Sequence, residues 1–565
     1  MTAMPDKDDI TARLTSEGPF ALAEDNSAGY PMRVYRNAPA SLREVFESTR
    51  VFADRVFTVF RDETLTYGAF HGQVGALAHE LVRRGVAKGD RVAIGMRNYP
   101  EWIVGFWACQ AIGAVVVALN AWWTTSELAW ALEDATPKLL LLDGERLERI
   151  RPLLPAVGGP QVVVARREGA GPGGDDFAEL VATPCATLPD AEVGPDDLST
   201  ILYTSGTTGR SKGAVASHRN HVTNLLNIQL SRAINQELAG LAPPPGLPPQ
   251  IAVLQTLPFF HIGGITTIYV NAVSGSKAAL MYKWDPAEAV RLVAEHQLAV
   301  VSGVPIVVRQ LLETADARDA DLSSLVSVSA GGAPVPADLV RKISARFGDK
   351  ASPGCSYGLT ETTAAVVKND GADYVAHPDS IGRPVPTADI RLADEDGVDV
   401  APGEIGEIWC RGPNVNLGYW ANMEATESSF GGGWFRTGDL GRQDEHGLYY
   451  VVDRKKDVII RGGENVYCAE VEAALIDHAL VRDAAVVGLP HPEYGEQVAA
   501  VVQVALADPP AGLAAEIAAS LTERLARFKI PTTIVTTTDE LPRTASGKIL
   551  KREVRSQYFG EGRDA

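Results

Sequence analysis

The sequence predicts an α/β protein: a large N-terminal domain of parallel-rich sheets covered by helices, with a small antiparallel region, then a small mobile α+β C-terminal domain. Three observations predict it. Helix-like and strand-like segments alternate from Tyr67 to Asp143. Between Ile405 and Tyr450 the segments become short, with alternating apolar residues and Gly-rich turns. Past Arg454 the pattern returns to mixed helix and strand, and 565 residues exceed what one hydrophobic core usually serves. The expected domains are residues 1–453 and 454–565.

In order along the chain, Tyr67 to Gly85 places Phe70, Val74, Leu77, Ala78, Leu81 and Val82 at helical spacing, and Lys88-Gly89-Asp90 turns into a strand from Arg91 to Met96. The theme recurs with Pro100–Gly113 before Ala114–Leu119, and with Ser126–Ala135 before Lys138–Asp143. Alternation of this kind implies parallel strands under helices. Gly105 to Trp123 carries no charge and reaches the length of a short membrane span. Gln110, Gly113 and Asn120 interrupt it, however, and Ala114–Leu119 is a β-branched run suited to a buried strand, so no transmembrane segment is expected. The adjacent Trp122-Trp123 pair reads as packing. Gly169–Asp176 and the proline-rich Pro243–Pro249 read as exposed loops, and Ala469–Asp477 and Ala514–Phe528 as helices of the last domain. There is no internal repeat.

Composition excludes several classes. Apolar content of 45% with 22% charged residues is that of a globular protein, and a net charge of −19 argues against a general nucleic-acid or anionic-membrane surface. Any anionic ligand must therefore be held by a local site. Cys109, Cys185, Cys355, Cys410 and Cys468 match no zinc or redox spacing and read as buried thiols in a reducing compartment. Asp6, Lys7, Asp8 and Asp9 lack the layout of a signal peptide, which makes the cytoplasm the default location.

Chemistry is densest in Tyr203 to Gly213. Its glycines let backbone approach an anion, Thr204, Ser205, Thr207 and Thr208 add hydroxyls, and Lys212 adds a charge. The run reads as a phosphate loop fed by a strand from Ser199 to Tyr203, though Gly206, Gly209 and Lys212 do not have Walker A spacing. A second segment reads two ways. Gly354-Cys355-Ser356-Tyr357-Gly358 is a literal Gly-x-Ser-x-Gly, a nucleophile elbow with Ser356 attacking an acyl carbonyl and His446, His478 or His491 as base. Shifted along, Tyr357-Gly358-Leu359-Thr360-Glu361-Thr362 supplies a ring for a base, a hydroxyl for phosphate and a carboxylate for Mg²⁺. The phosphate loop favours the second reading.

With these residues the chain resembles the adenylate-forming superfamily of acyl-CoA synthetases, luciferases and nonribosomal peptide adenylation domains. The resemblance runs from about Leu65 to Arg555 through seven ordered motifs: the phosphate loop, Pro258-Phe259-Phe260-His261, Gly331-Gly332-Ala333-Pro334, Tyr357 to Glu361, Trp434 to Asp439, Asp453 to Asp457, and Pro542 to Lys548. Ser211 stands where the family usually has proline.

The resemblance implies ATP-dependent joining of a carboxylate to AMP, with release of pyrophosphate, and then transfer of the acyl group to a thiol. By similarity, Thr204, Ser205, Gly206, Thr207, Thr208, Gly209 and Lys212 hold phosphates, with Glu361 and Thr207 at Mg²⁺. Adenine would lie between the backbone of Gly331, Gly332 and Ala333 and the ring of Tyr357, beside Gly358 and Thr360. Asp439, helped by Arg454, would clamp the ribose, and Lys548 would bridge the acid carboxylate and the α-phosphate. His261 would stand beside the carboxylate, and Lys456 would be the hinge about which the small domain turns. That rotation would exchange Lys548 for the Gly462, Gly463 and Glu464 loop, which leaves room for a pantetheine arm. The chain ends soon after Lys548, so free CoA is the expected acceptor rather than a fused carrier domain; oxidation, as in luciferases, and a non-catalytic scaffold role are the alternatives. Gly264, Thr267, Gly331, Gly332, Ser356 and Thr362 would line the acid pocket, several of them small enough to leave volume for a medium or long fatty acid first, an aryl or polycyclic acid second. No acidic residue is placed to hold an amino acid's ammonium. A homodimer is compatible with the sequence.

Overall fold

Alternation of helix and strand builds two large sheets with a helical layer between them. The computed structural model describes residues 6–168, 171–204, 211–241, 246–331, 337–348, 354–506, 508–544 and 547–560. The helix Tyr67–Arg83 starts on Thr66, whose hydroxyl accepts the Ala69 N–H, and buries Phe70, Val74, Leu77, Ala78 and Leu81; Val82, counted on that face by spacing, is 46% exposed. The helix Pro100–Ile112 begins at proline and ends on Gly113 at φ 71°. From Trp102 to Ile112 all its residues are buried, because it is sandwiched between the sheets. The uncharged stretch is thus a core helix followed by the buried strand Val115–Ala118, and among the described residues no helix is long and apolar enough to cross a membrane.

The eight-stranded sheet runs Gly418–Tyr419, Lys212–Ser217, Leu198–Thr204, Val115–Ala118, Arg91–Gly95, Leu139–Asp143, Gln161–Ala165, Asp175–Asp176. It is parallel from Leu198–Thr204 onward and antiparallel at the Lys212–Ser217 edge. Asp175–Asp176, expected in a loop, is its last edge strand. The six-stranded sheet runs Ser327–Ala330, Val300–Gly303, Ala252–Leu254, Lys277–Leu280, Val56–Phe60, Glu63–Thr66, and is parallel except for its terminal hairpin. Phe57 and Phe60 of one sheet and Val92, Ile94 and Val116 of the other join one core through the intervening helices.

Beyond these lie the hairpin Gly354–Leu359 with Ala364–Asp370 and an antiparallel sheet centred on Trp434–Gln443, which is the small antiparallel region. Residues 459–537 form a separate five-stranded sheet with its own core of Ile459, Val466, Val471, Val486, Val498 and Val502. The helix expected from Ala514 to Phe528 is Leu513–Ser520 and then breaks into turns. Ser520 and Thr522 return their hydroxyls to the carbonyls of Ile517 and Ala519, competing with the helical ladder. Cys109, Cys410 and Cys468 are buried, but Cys185 and Cys355 are only half-buried, so the expectation of five buried thiols is corrected.

Candidate active site

The site lies where strand ends of both large sheets, the Gly354–Leu359 hairpin and the C-terminal unit converge. Strand register does part of the work: Asp439 and Arg454 are direct partners in the antiparallel pair, and Arg454 Nε stands 3.0 Å from Asp439 Oδ1. The Tyr357 hydroxyl donates to Asp439 Oδ2 at 2.8 Å. Asp439 is only 4% exposed, so these two donors hold a carboxylate that would be costly to bury alone. Burial and the neighbouring Asp439 charge raise the Tyr357 pKa well above its ordinary value, so the hydroxyl remains a donor.

Glu361 sits in the short helical turn Thr360–Thr362, braced by its own carbonyl accepting from Asn416 N–H at 2.8 Å. Its Oε1 accepts from the Thr204 hydroxyl at 3.2 Å and from the Tyr419 hydroxyl at 3.0 Å. Oε2 takes no donor among the described residues, which leaves an oxygen for a hard cation; no cluster of three metal-ligating side chains occurs among those residues, so such an ion would complete its shell with ligand oxygens and water. Lys212 Nζ lies 5.1 Å from the Tyr419 ring centroid, opposite Thr204 in the strand pair. Ser205, Gly206, Thr207, Thr208 and Gly209, with Gly332 and Ala333, lie outside the described residues.

Lys548 enters from the C-terminal unit. Its backbone N–H donates to Thr544 Oγ1, and the adjoining Gly547, at φ 86°, packs so closely that a Cβ there would stand 2.8 Å from Val304 Cγ2 of the large domain. The Lys548 side chain is open to solvent in the cleft, yet surrounding protein lowers its pKa, with Arg454 adding to the depression while Asp439 and Glu361 oppose it. His261 caps the helix Ile262–Val273, its Nδ1 accepting from Gly263 N–H at 3.2 Å, so a neutral ring carries its proton on Nε2. Burial, aided by the Lys548 charge, pushes its pKa down to about 4.

Two pocket expectations change. Gly264 leaves no cavity volume, since a Cβ there would fall 1.9 Å from the Pro258 carbonyl oxygen: its smallness serves the packing of a helix on the preceding loop. Thr362 is fully buried, and its hydroxyl is spent on Leu359 N–H and on carbonyls of the turn. Thr267 Oγ1 lies 2.6 Å from both Gln255 Oε1 and the Gly264 carbonyl. Gly331 and exposed Ser356 do face each other, a Cβ on Gly331 standing 3.6 Å from Ser356 Oγ. Gly358 permits the bulge that brings the hairpin together, where a Cβ would be 1.8 Å from the Ala364 oxygen.

Ser356 lies inside a strand rather than on a strand-to-helix turn, and His478 and His491 accept N–H groups of their own turns while His446 neighbours Glu445. The nucleophile-elbow geometry is therefore missing among the described residues. Gly462, Gly463 and Glu464 form an exposed hairpin turn against Tyr494 of their own unit, and Lys456 is exposed in the turn Lys455–Asp457 between the two units. Trp122 is 51% exposed with the Arg97 guanidinium 4.2 Å from its ring, while Trp123 packs on Tyr203. Sequence reasoning missed Tyr419, which touches both Glu361 and Lys212; only the pairing of Gly418–Tyr419 with the strand after the phosphate loop places it there.

The profile of the AMP-binding enzyme family matches residues 45–420, and that of the AMP-binding enzyme C-terminal domain matches residues 470–548. A feruloyl-CoA synthase of Amycolatopsis sp is 37% identical over 87% of this chain and 94% of its own length. A 2-succinylbenzoate–CoA ligase of Bacillus velezensis is 32% identical over 92% and 98%. The solved o-succinylbenzoate CoA synthetase of Bacillus subtilis, in complex with its acyl-adenylate intermediate, superposes with a TM-score of 0.76 at 28% identity, covering 92% of this chain and 98% of that one.

Proposed function

This chain belongs to the AMP-binding enzyme family and is an acid–CoA ligase that works with ATP, Mg²⁺ and CoA through an acyl-adenylate, and on that footing we propose that its acid is a bulky, oxygen-bearing aryl or cyclic acid rather than a plain fatty acid. The observation that carries this reading is polar lining: Ser356 is open to the cleft opposite Gly331, and beyond it the hairpin presents Lys368 rather than an aliphatic wall. The ferulate and succinylbenzoate named for the relatives are both oxygenated aromatic acids, which supports it.

Residue roles follow from charge. Carboxylate and triphosphate repel, so the step needs cations where negative charge accumulates. Lys548 is the mobile one, and the Gly547 contact with the large domain supports its reach to the carboxylate and α-phosphate together. Asp439, held by Tyr357 and Arg454, presents its remaining lone pairs to two ribose hydroxyls. Lys212, Thr204 and the phosphate loop take the outer phosphates, and Glu361 holds Mg²⁺, which when bound neutralises phosphate charge. Neutral His261 supplies an Nε2–H donor beside the acid without adding a charge that would have to be desolvated. After adenylation the 454–565 domain turns about Lys456, withdrawing Lys548 and presenting Gly462, Gly463 and Glu464 to CoA.

The test is Mg²⁺-dependent, acid-dependent ATP–pyrophosphate exchange and AMP release across fatty, aryl and cyclic acids, with Lys548→Ala alongside. Highest kcat/KM for an oxygenated aryl or cyclic acid, with exchange falling about a thousandfold in the variant, is expected. A fatty acid as best substrate refutes the acid assignment, and exchange that survives Lys548→Ala refutes the role of the lysine.

A further inference from the structure

Strand register carries the pocket beyond Ser356. Ser356 and Lys368 are direct partners across the hairpin, so both side chains stand on the face that looks toward Gly331 and the helix His218–Leu238. From there Lys368 Nζ reaches Ser231 Oγ of that helix at 2.7 Å and Asp370 Oδ2 at 3.6 Å. Arg232, the next residue on the helix, donates to Ser274 Oγ at 2.9 Å, where Ser274 ends the helix that His261 begins. One wall of the space thus has His261 at one end and Arg232 at the other, twelve helical residues or roughly 18 Å apart.

Charges around this far end do not balance. Asp370 is already met by Lys368 and by Lys7 at 3.4 Å, and accepts from Ser231 and Asn235; Asp373 is met by Lys7 at 2.8 Å. Arg232 has no carboxylate partner among the described residues, and Ser274 Oγ is its one hydrogen-bond acceptor there. Three cations, Lys7, Arg232 and Lys368, therefore face two carboxylates. Arg232 is exposed, its guanidinium open to a ligand beside Ser274, and its charge helps lower the pKa of Lys368. A guanidinium has five donors in a planar fork suited to a carboxylate, and Ser274 Oγ takes only one side of the Arg232 fork. Asp370, the acidic residue that sequence reading did not place near the pocket, is neutralised by its own lysines and offers nothing to an ammonium.

We propose that Arg232, supported by Lys368, forms a second anion subsite at the far end of the acid pocket, and that the enzyme activates one carboxyl of an acid bearing another carboxylate at its opposite end. The inference rests on the ligase reading above and deepens it by naming the substrate class: a dicarboxylic acid whose two ends fit within the length of the helix Ile262–Val273. The adenylated carboxyl lies at Lys548 and His261; the other stays ionised, paired with Arg232. An acid with a neutral apolar tail would cover the guanidinium and strip its water without replacing those hydrogen bonds, which selects against it.

The experiment measures acid-dependent ATP–pyrophosphate exchange with the full-length enzyme on matched series of dicarboxylic acids and their monocarboxylic analogues, aliphatic and aryl, for wild type, Arg232→Met and Arg232→Lys. Expected is a wild-type kcat/KM at least about tenfold higher for the best dicarboxylate than for its monocarboxylic analogue. Arg232→Met should remove that preference through KM, leave the monocarboxylic analogue within about threefold, and raise activity on neutral-tailed acids if anything; Arg232→Lys should restore part of the preference. Exchange with monocarboxylic acids but no dicarboxylate preference in wild type overturns the subsite while leaving the ligase intact. Equal loss on both series in Arg232→Met also overturns it, since the residue is then structural. Silence on every acid overturns the ligase reading and the subsite with it.

Discussion

Replacing Gly547 by alanine should separate the two half-reactions. Gly547 adopts φ 86°, a region that costs an L residue roughly 1–2 kcal/mol, and the new Cβ would stand 2.8 Å from Val304 Cγ2 and 3.5 Å from Ile306 Cγ2. The glycine loop must therefore twist and lift from the large domain, taking Lys548 with it. Adding strain to overlap gives about 2–3 kcal/mol against the closed arrangement, or roughly 30- to 150-fold in the rate of adenylation. Acid-dependent ATP–pyrophosphate exchange reads that step. Thioester formation from a synthetic acyl-adenylate and CoA reads the other, for which the proposed rotation withdraws the loop, and should change less than about threefold. A second substitution, Val304→Ala, removes the overlap but not the φ cost and should restore part of the exchange rate. Equal losses in both half-reactions, or exchange at the wild-type rate, would refute the claim that this contact positions Lys548.

Tyr357→Phe removes the 2.8 Å hydrogen bond to Asp439 while Arg454 remains, so the KM for ATP should rise about tenfold with the KM for the acid unchanged, as steady-state kinetics would show. Gly264→Ala puts a Cβ 1.9 Å from the Pro258 oxygen and should cost about 3 kcal/mol or more by urea denaturation; Gly331→Ala meets only an ordinary 3.6 Å contact and should leave stability within about 0.5 kcal/mol while narrowing the acid range. His221, fully buried against the Thr200 hydroxyl, has its pKa pushed down to about 3 by burial. The unfolded chain takes up a proton below its ordinary value of about 6.5 and the folded one does not, so this residue lowers stability as pH falls from about 6.5 toward 4, by about 1.4 kcal/mol per pH unit. His221→Asn should lose that share, and urea midpoints that shift in parallel with wild type across the range would contradict it.

Local and repetitive features were legible from residue order alone. Helix and strand alternate with periods that any residue pattern exposes, so the elements from Tyr67 to Asp143 could be placed to within a residue or two, and clustered motifs named Asp439, Tyr357, Glu361 and Lys548 before any geometry was known. Each of those motifs carries its chemistry in a few adjacent residues. Whatever depends on contacts between distant parts of the chain needed the folded molecule. Tyr419 joins the site only through an edge-strand pairing with Ala214, far earlier in the chain. The small residue Gly264 reads in sequence as room for a substrate, yet the Pro258 backbone fills that room, because a missing side chain leaves space only where nothing else packs. The Arg232 and Lys368 pair has no motif at all: it arises from the register of one hairpin and the face of one helix, and whether a cation is balanced is a property of its surroundings in space.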